Sequence, residues 1–146
     1  MILPDVNVLV HAYNTSYAQH EVFKEWLRDS LNGPRVVGLS WAAVLGFIRV
    51  STNPHACRNP MTPQESIGRV REWIARPNVR MLMPGVRHGD ILFGLIEAVG
   101  VAGKLTSDAH LAALAIEYQA EVVSTDADFS RFPGLRWFNP ARPGRK

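Results

Sequence analysis

Short β-like apolar runs alternate along the chain with longer segments in which apolar residues recur every three or four positions. Met1 to Pro4 predicts a strand ending at Asp5. From Tyr17 to Leu31, the residues Val22, Phe23, Trp26, Leu27 and Leu31 share one stripe, which predicts an amphipathic helix. Arg35 to Leu39 predicts a second strand, and Ser40 is placed to cap a buried helix running to about Val50. Thr52 to Pro60, with two Asn-Pro pairs, reads as a connecting loop. Thr62-Pro63-Gln64-Glu65 then has a capping-box residue at each end and proline at the first helical position, predicting a helix from Pro63 to about Ala75. Val79 to Met83 predicts a third strand, Arg87 to Val99 a helix closed by Gly100, and Thr106 to about Gln119 another helix. Glu121 to Ser124 is a fourth strand, and Arg136 to Phe138 a short last one.

Strands and helices that alternate without hairpin turns predict an α/β fold, a mostly parallel sheet of four to five strands with helices on both faces. In such sheets ligands bind beyond the carboxyl ends of the strands, so the residues just after each strand carry the chemical interest. The length, 146 residues, suits one globular domain, read as residues 1–140, followed by a basic tail over 141–146.

Charge sharpens the picture of that tail. All 13 acidic residues lie at or before Asp128, alongside 11 basic ones, whereas five basic residues and no acid follow. Arg142, Arg145 and Lys146 are therefore candidates for phosphate contacts in a nucleic acid, with a merely solvated tail as the alternative. The single cysteine, Cys57, excludes an intrachain disulfide and fits a reducing compartment, the cytoplasm. The apolar start is broken by Pro4 and Asp5 and does not read as a signal peptide. The longest apolar stretch, Val36 to Ile48, falls short of the ~18 residues of a membrane span.

Three of the places just after strands, or at the start of a helix, hold aspartates. Asp5 stands in P-D-V-N-V-L, Asp108 in T-S-D-A-H-L, and Asp126 and Asp128 in S-T-D-A-D-F. Singly each can serve as a helix-dipole partner or turn cap. Brought to one edge of a sheet, their like charges repel and their oxygens match a hard cation such as Mg²⁺ or Mn²⁺. Magnesium held by carboxylates suits phosphodiester cleavage. The five histidines show no H-x-x-x-H pair, which argues against zinc hydrolysis, and His110 points away from Asp108 on a helix toward a structural role. There is no G-x-S-x-G elbow for a serine triad. Trp41, Trp73 and Trp137 read as core residues rather than base-stacking platforms.

L-P-D-V-N-V-L, D-A-H-L-A-A-L-A and S-T-D-A-D-F-S-R-F-P-G-L resemble, in order and over nearly the whole chain, the acidic motifs of PIN-domain ribonucleases, in particular VapC-type toxins of toxin–antitoxin pairs. The resemblance implies a Rossmann-like α/β/α sandwich, Mg²⁺- or Mn²⁺-dependent endonuclease activity on RNA, a homodimer, and inhibition by a VapB-type antitoxin. By position it makes Asp5 the first metal ligand, Asp108 the third acid and Asp126 the fourth. Asp128 becomes an auxiliary acid, and Asn7 is placed to orient the first carboxylate or a water, or else to make a turn.

One feature departs from the family pattern. The helix after the second strand usually carries a glutamate, but no acid lies between Ser40 and Val50, and Gly46 or Phe47 stands in its place. A site short of one carboxylate favours one tightly held ion, joined by a second only with RNA phosphate. Asp90 starts a different helix, where a dipole role suits it better. Two rival readings follow: a degenerate fold that binds RNA or antitoxin without cutting, and a phosphatase with Asp5 as nucleophile, in which Asn7 would replace the usual second acid.

Overall fold

The computed structural model describes residues 1–142. Five strands, β1 (Ile2–Pro4), β2 (Val37–Ser40), β3 (Val79–Leu82), β4 (Glu121–Val123) and β5 (Trp137–Phe138), form one sheet in the order β3-β2-β1-β4-β5. Every pairing is parallel. The central strand β1 is buried on both faces, which is why it reads as an unbroken apolar run. Alternate residues along it face opposite ways, Ile2 into one core cluster and Leu3 into the other.

The first cluster is covered by α1 (Val6–His11), α2 (His20–Asn32), α3 (Trp41–Ser51) and α4 (Pro63–Ile74). The second is covered by α5 (His88–Val99), α6 (Leu105–Glu117) and the 3-10 turn Ala127–Arg131. The expected α/β sandwich is therefore present. At the start of α4 the Thr62 hydroxyl accepts from the Glu65 amide at 3.1 Å and donates to its carboxylate at 3.2 Å, with Pro63 as first helical residue, as the sequence predicts. No helix among the described residues is long and apolar enough to cross a membrane.

Three elements differ from the sequence reading. The V-N-V-L-V-H segment after Asp5 is the short helix α1, because six mostly apolar residues carry too little periodicity to tell a buried turn of helix from a strand. Helix α2 begins at His20 rather than Tyr17, whose ring instead stacks on His11 at 3.6 Å between centroids. Trp41 is 48% exposed at the start of α3, so its expected core role is wrong. It is the first helical residue, and it stands on the face turned away from the sheet. Trp73, by contrast, is fully buried and donates from Nε1 to the Tyr13 hydroxyl at 3.0 Å, and Trp137 is half-buried. At the chain's end Ala141 packs against the core and Arg142 lies 5.8 Å from the Trp137 ring centroid, while Arg145 and Lys146 fall outside the described residues.

Candidate active site

The carboxyl end of β1 delivers Asp5, which caps α1 by accepting from the Val6 amide at 2.7 Å. Its other oxygen accepts from Asn7 Nδ2 at 3.0 Å and from the Ser124 hydroxyl at 2.8 Å. Asn7 also donates to Ser124 Oγ at 3.1 Å and accepts from the Thr125 amide at 3.2 Å. Ser124 Oγ takes a further bond from the Asp126 amide at 3.0 Å. Thus one asparagine and one buried serine lace the end of β1 to the end of β4, and between them they fix where the Asp5 carboxylate points. Asn7 hydrogen-bonds the Asp5 carboxylate directly, a contact compatible with the orienting use the sequence left open for it.

Asp126 caps the 3-10 turn, its Oδ1 accepting from the Asp128 amide at 2.9 Å. Its Oδ2 accepts no hydrogen bond among the described residues. Asp108 sits in the first turn of α6, half-buried, and neither of its oxygens accepts a hydrogen bond from the described residues. Its pKa is pushed up to about 6, first by burial and then by the negative charges of Asp5, Asp126 and Asp128, with Lys104 opposing. Burial likewise raises Asp5, and the charge of Asp126 adds to the effect, against the hydrogen bonds of Ser124, Val6 and Asn7. The predicted aspartates are therefore within electrostatic reach of one another.

Asp5 and Asp108 face each other across a cleft of about 310 Å³ between α3 and α6, whose lining includes Ser40, Gly46, Arg49 and Leu111. Among the described residues no three His, Cys, Asp or Glu side chains are gathered closely enough to enclose an ion on their own. The expected three-aspartate cage is accordingly open. An open, all-oxygen site fits Mg²⁺ nonetheless, because that ion keeps several waters and takes only one or two carboxylates. The unbonded, half-buried Asp108 carboxylate is the group most in need of a cation.

The sequence matches the PIN domain model over residues 2–135. It is 43% identical to Ribonuclease VapC33 of Mycobacterium tuberculosis, over 97% of this chain and 99% of that protein. The chain belongs to the PIN-domain VapC ribonucleases. Among solved structures, the fold is shared with VapBC2 from Rickettsia felis, bound to a promoter DNA fragment, at a TM-score of 0.68 and 18% identity over 95% of this chain and 98% of that one. It is also shared with Mycobacterium tuberculosis VapC20, described as a sarcin-ricin loop cleaving toxin, at 0.67 and 16% over 93% and 99%.

As a VapC ribonuclease this chain is an enzyme of the endoribonuclease toxin type, which sets the phosphatase reading aside. The phosphatase is further disfavoured by Asn7, which is fully committed to hydrogen bonds, and by the three donors on Asp5, which blunt it as a nucleophile.

The missing glutamate also has a structural account. Phe47 points into the core with no exposure, leaving Gly46 as the cleft-facing position. A Cβ on Gly46 would run into the side chain of Val6, so α3 and α1 pack where a side chain would stand. We expect Gly46→Glu to overpack this contact, costing about 1–3 kcal/mol and several degrees of melting temperature, without raising activity. Thermal unfolding together with a cleavage assay checks it, and a more active variant of unchanged stability would contradict the packing argument.

His110 lies on another side of α6 from Asp108, its Nδ1 3.0 Å from Nε2 of the buried His88, which is the structural role expected of it. Asp90 is exposed in the first turn of α5 and is not part of the cleft lining. Sequence reasoning missed Ser124 and Arg49. The signal for Ser124 was a hydroxyl at the end of a buried strand next to an acidic motif; for Arg49 it was a cation where the family carries an acid nearby.

Proposed function

We propose that this chain cleaves RNA at the cleft of Asp5, Asp108 and Asp126, using Mg²⁺ or Mn²⁺, and that a VapB-type antitoxin holds it in check. The observation that carries the reading is Asp108: a half-buried carboxylate without a hydrogen bond, crowded by three other acids, in a cleft it shares with Asp5. Asp5 and Asp108 would hold the cation, with Asp126 completing its surroundings and Asp128 adding negative charge behind them. A bound cation supplies Lewis acidity toward a phosphate oxygen and toward water.

The chain's own contribution is preorganisation. Val6, Asn7 and Ser124 fix the Asp5 carboxylate before substrate arrives, so no reorientation is needed during the reaction. The burial of Asp5 and Asp108 keeps their mutual repulsion strong, which favours a cation over an empty site. With glycine rather than glutamate facing the cleft from α3, one tightly held ion is the reading this donor set supports, a second arriving only with RNA phosphate.

The relatives supply the rest of the proposal. VapC33 is named a ribonuclease, VapC20 is described as a sarcin-ricin loop cleaving toxin, and VapBC2 was solved bound to a fragment of its promoter DNA, which supports RNA as substrate and a VapB-type antitoxin as partner here. Homodimerisation follows the family. Arg142, Arg145 and Lys146 would add phosphate contacts, Arg142 from its place over Trp137. A cytoplasmic site is supported by the single buried cysteine, Cys57.

The deciding experiment is cleavage of total RNA by the purified chain, freed of any partner. Cutting that requires Mg²⁺ or Mn²⁺, stops with EDTA and resumes when the metal is restored is the expected result. Binding of RNA without cleavage in either metal would overturn the enzymatic reading.

A further inference from the structure

Helix α3 brings a cation, not an acid, to the active-site cleft. Arg49 lines the same cleft as Asp5 and Asp108, and its side chain is exposed. The four ion pairs among the described residues involve Lys24, Arg28, Arg35 and Arg69, and Arg49 takes part in none of them. Nor does it compensate the acids: Lys104, not Arg49, is the cation that offsets the charge around Asp108. A guanidinium that lines an acidic cleft, yet is spent on none of its carboxylates, is free to take an anion.

We propose that Arg49 is an RNA-contacting residue that holds a backbone phosphate flanking the scissile one. The assignment rests on the ribonuclease reading given above. Position along the helix selects a flanking phosphate. Arg49 follows Gly46 by three residues, so its Cα lies about 4.5 Å further along the helix axis than the point where α3 packs on Val6, the neighbour of Asp5, one turn beyond the acids themselves. The guanidinium offers paired N–H donors that match two phosphate oxygens. The competing account is that Arg49 only complements the carboxyl end of α3, in whose last turn it lies. That account predicts a change in stability and none in RNA affinity.

The test compares Arg49→Gln and Arg49→Lys with the parent, and also places Arg49→Gln in an Asp108→Asn background so that binding is read without cutting. Two short RNAs of unrelated mixed sequence serve as probes, across a salt series. The expected result is a five- to tenfold weaker Kd for both RNAs, at order of magnitude, with a salt slope shallower by about one unit. In the cleaving protein, KM rises by a similar factor while kcat at saturating RNA changes little, and Arg49→Lys recovers part of the loss.

Unchanged Kd and salt slope, with only a lower melting temperature, would overturn the proposal in favour of the helix-end role. A loss confined to one of the two sequences would overturn it too, since a phosphate contact reads no base. A parent that binds RNA but never cuts it sinks the proposed function and still decides Arg49 through the binding arm. A parent that binds neither RNA overturns both.

Discussion

Asp108→Asn is expected to lower RNA cleavage by at least about a hundredfold while leaving the metal-free chain as stable as the parent or more so. The two effects part company because this carboxylate accepts no hydrogen bond from the described residues and is crowded by Asp5, Asp126 and Asp128, so folding is penalised by its charge and gains nothing from its shape. The pH dependence follows. With a folded-state pKa of about 6 against the ordinary aspartate value of 3.8, the folded chain binds the proton first as pH falls.

Metal-free stability therefore rises as the pH is lowered from above 6 to about 4 through this group. The gain is about 1 kcal/mol once solvent screening at a half-exposed site is allowed for. Asp108→Asn should remove that gain. It should also remove the rise in melting temperature with Mn²⁺ that linkage requires of a ligand binding the folded state. Thermal melts across pH, with and without Mn²⁺, supply the measurement. A variant that kept the full metal response would place the ion elsewhere.

Asn7→Ala is expected to reduce activity by about ten- to a hundredfold although Asn7 need never touch RNA. Its side chain donates to Asp5 and to Ser124 and accepts from the Thr125 amide, so alanine frees the Asp5 carboxylate and leaves a partly buried N–H unpaired. The unpaired groups should also cost about 1–3 kcal/mol of stability. The concentration of Mn²⁺ needed for half-maximal cleavage should rise, while RNA affinity in EDTA stays near that of the parent. A variant with parental metal dependence would show that Ser124 and the Val6 amide suffice to hold Asp5.

The same network marks the border of what the sequence discloses. Asp5 and Asp126 were legible as candidates because parallel sheets place ligands at the ends of their strands, and Asp108 because an acidic motif opens its helix. The capping box of α4 and the alternation of strands and helices were legible from local chemistry alone. Ser124 was not, since a serine after a strand looks like any turn residue until Asp5, 119 positions away, is seen to accept its hydrogen bond. Trp41 misled because large aromatics are most often buried, and only the orientation of α3 exposes it. The short helix α1 was hidden by its own hydrophobicity. Gly46 was noticed as a missing acid, but the reason for it lies in Val6, on a helix the sequence did not disclose.

The placement of β4 beside β1 at the middle of the sheet also bears on how the protein is made. Asp5 is synthesised 119 residues before Ser124, and Asn7 118 residues before the Thr125 amide, to which the two are tied. Until those residues emerge, one edge of β1 has no neighbour, and the first carboxylate lacks the Ser124 hydroxyl, one of its three donors. A partly synthesised chain thus has the acids of its first half and no assembled site. The site is withheld by topology until β4 has been made, which gives a partner translated in the same interval time to be present when the cleft forms.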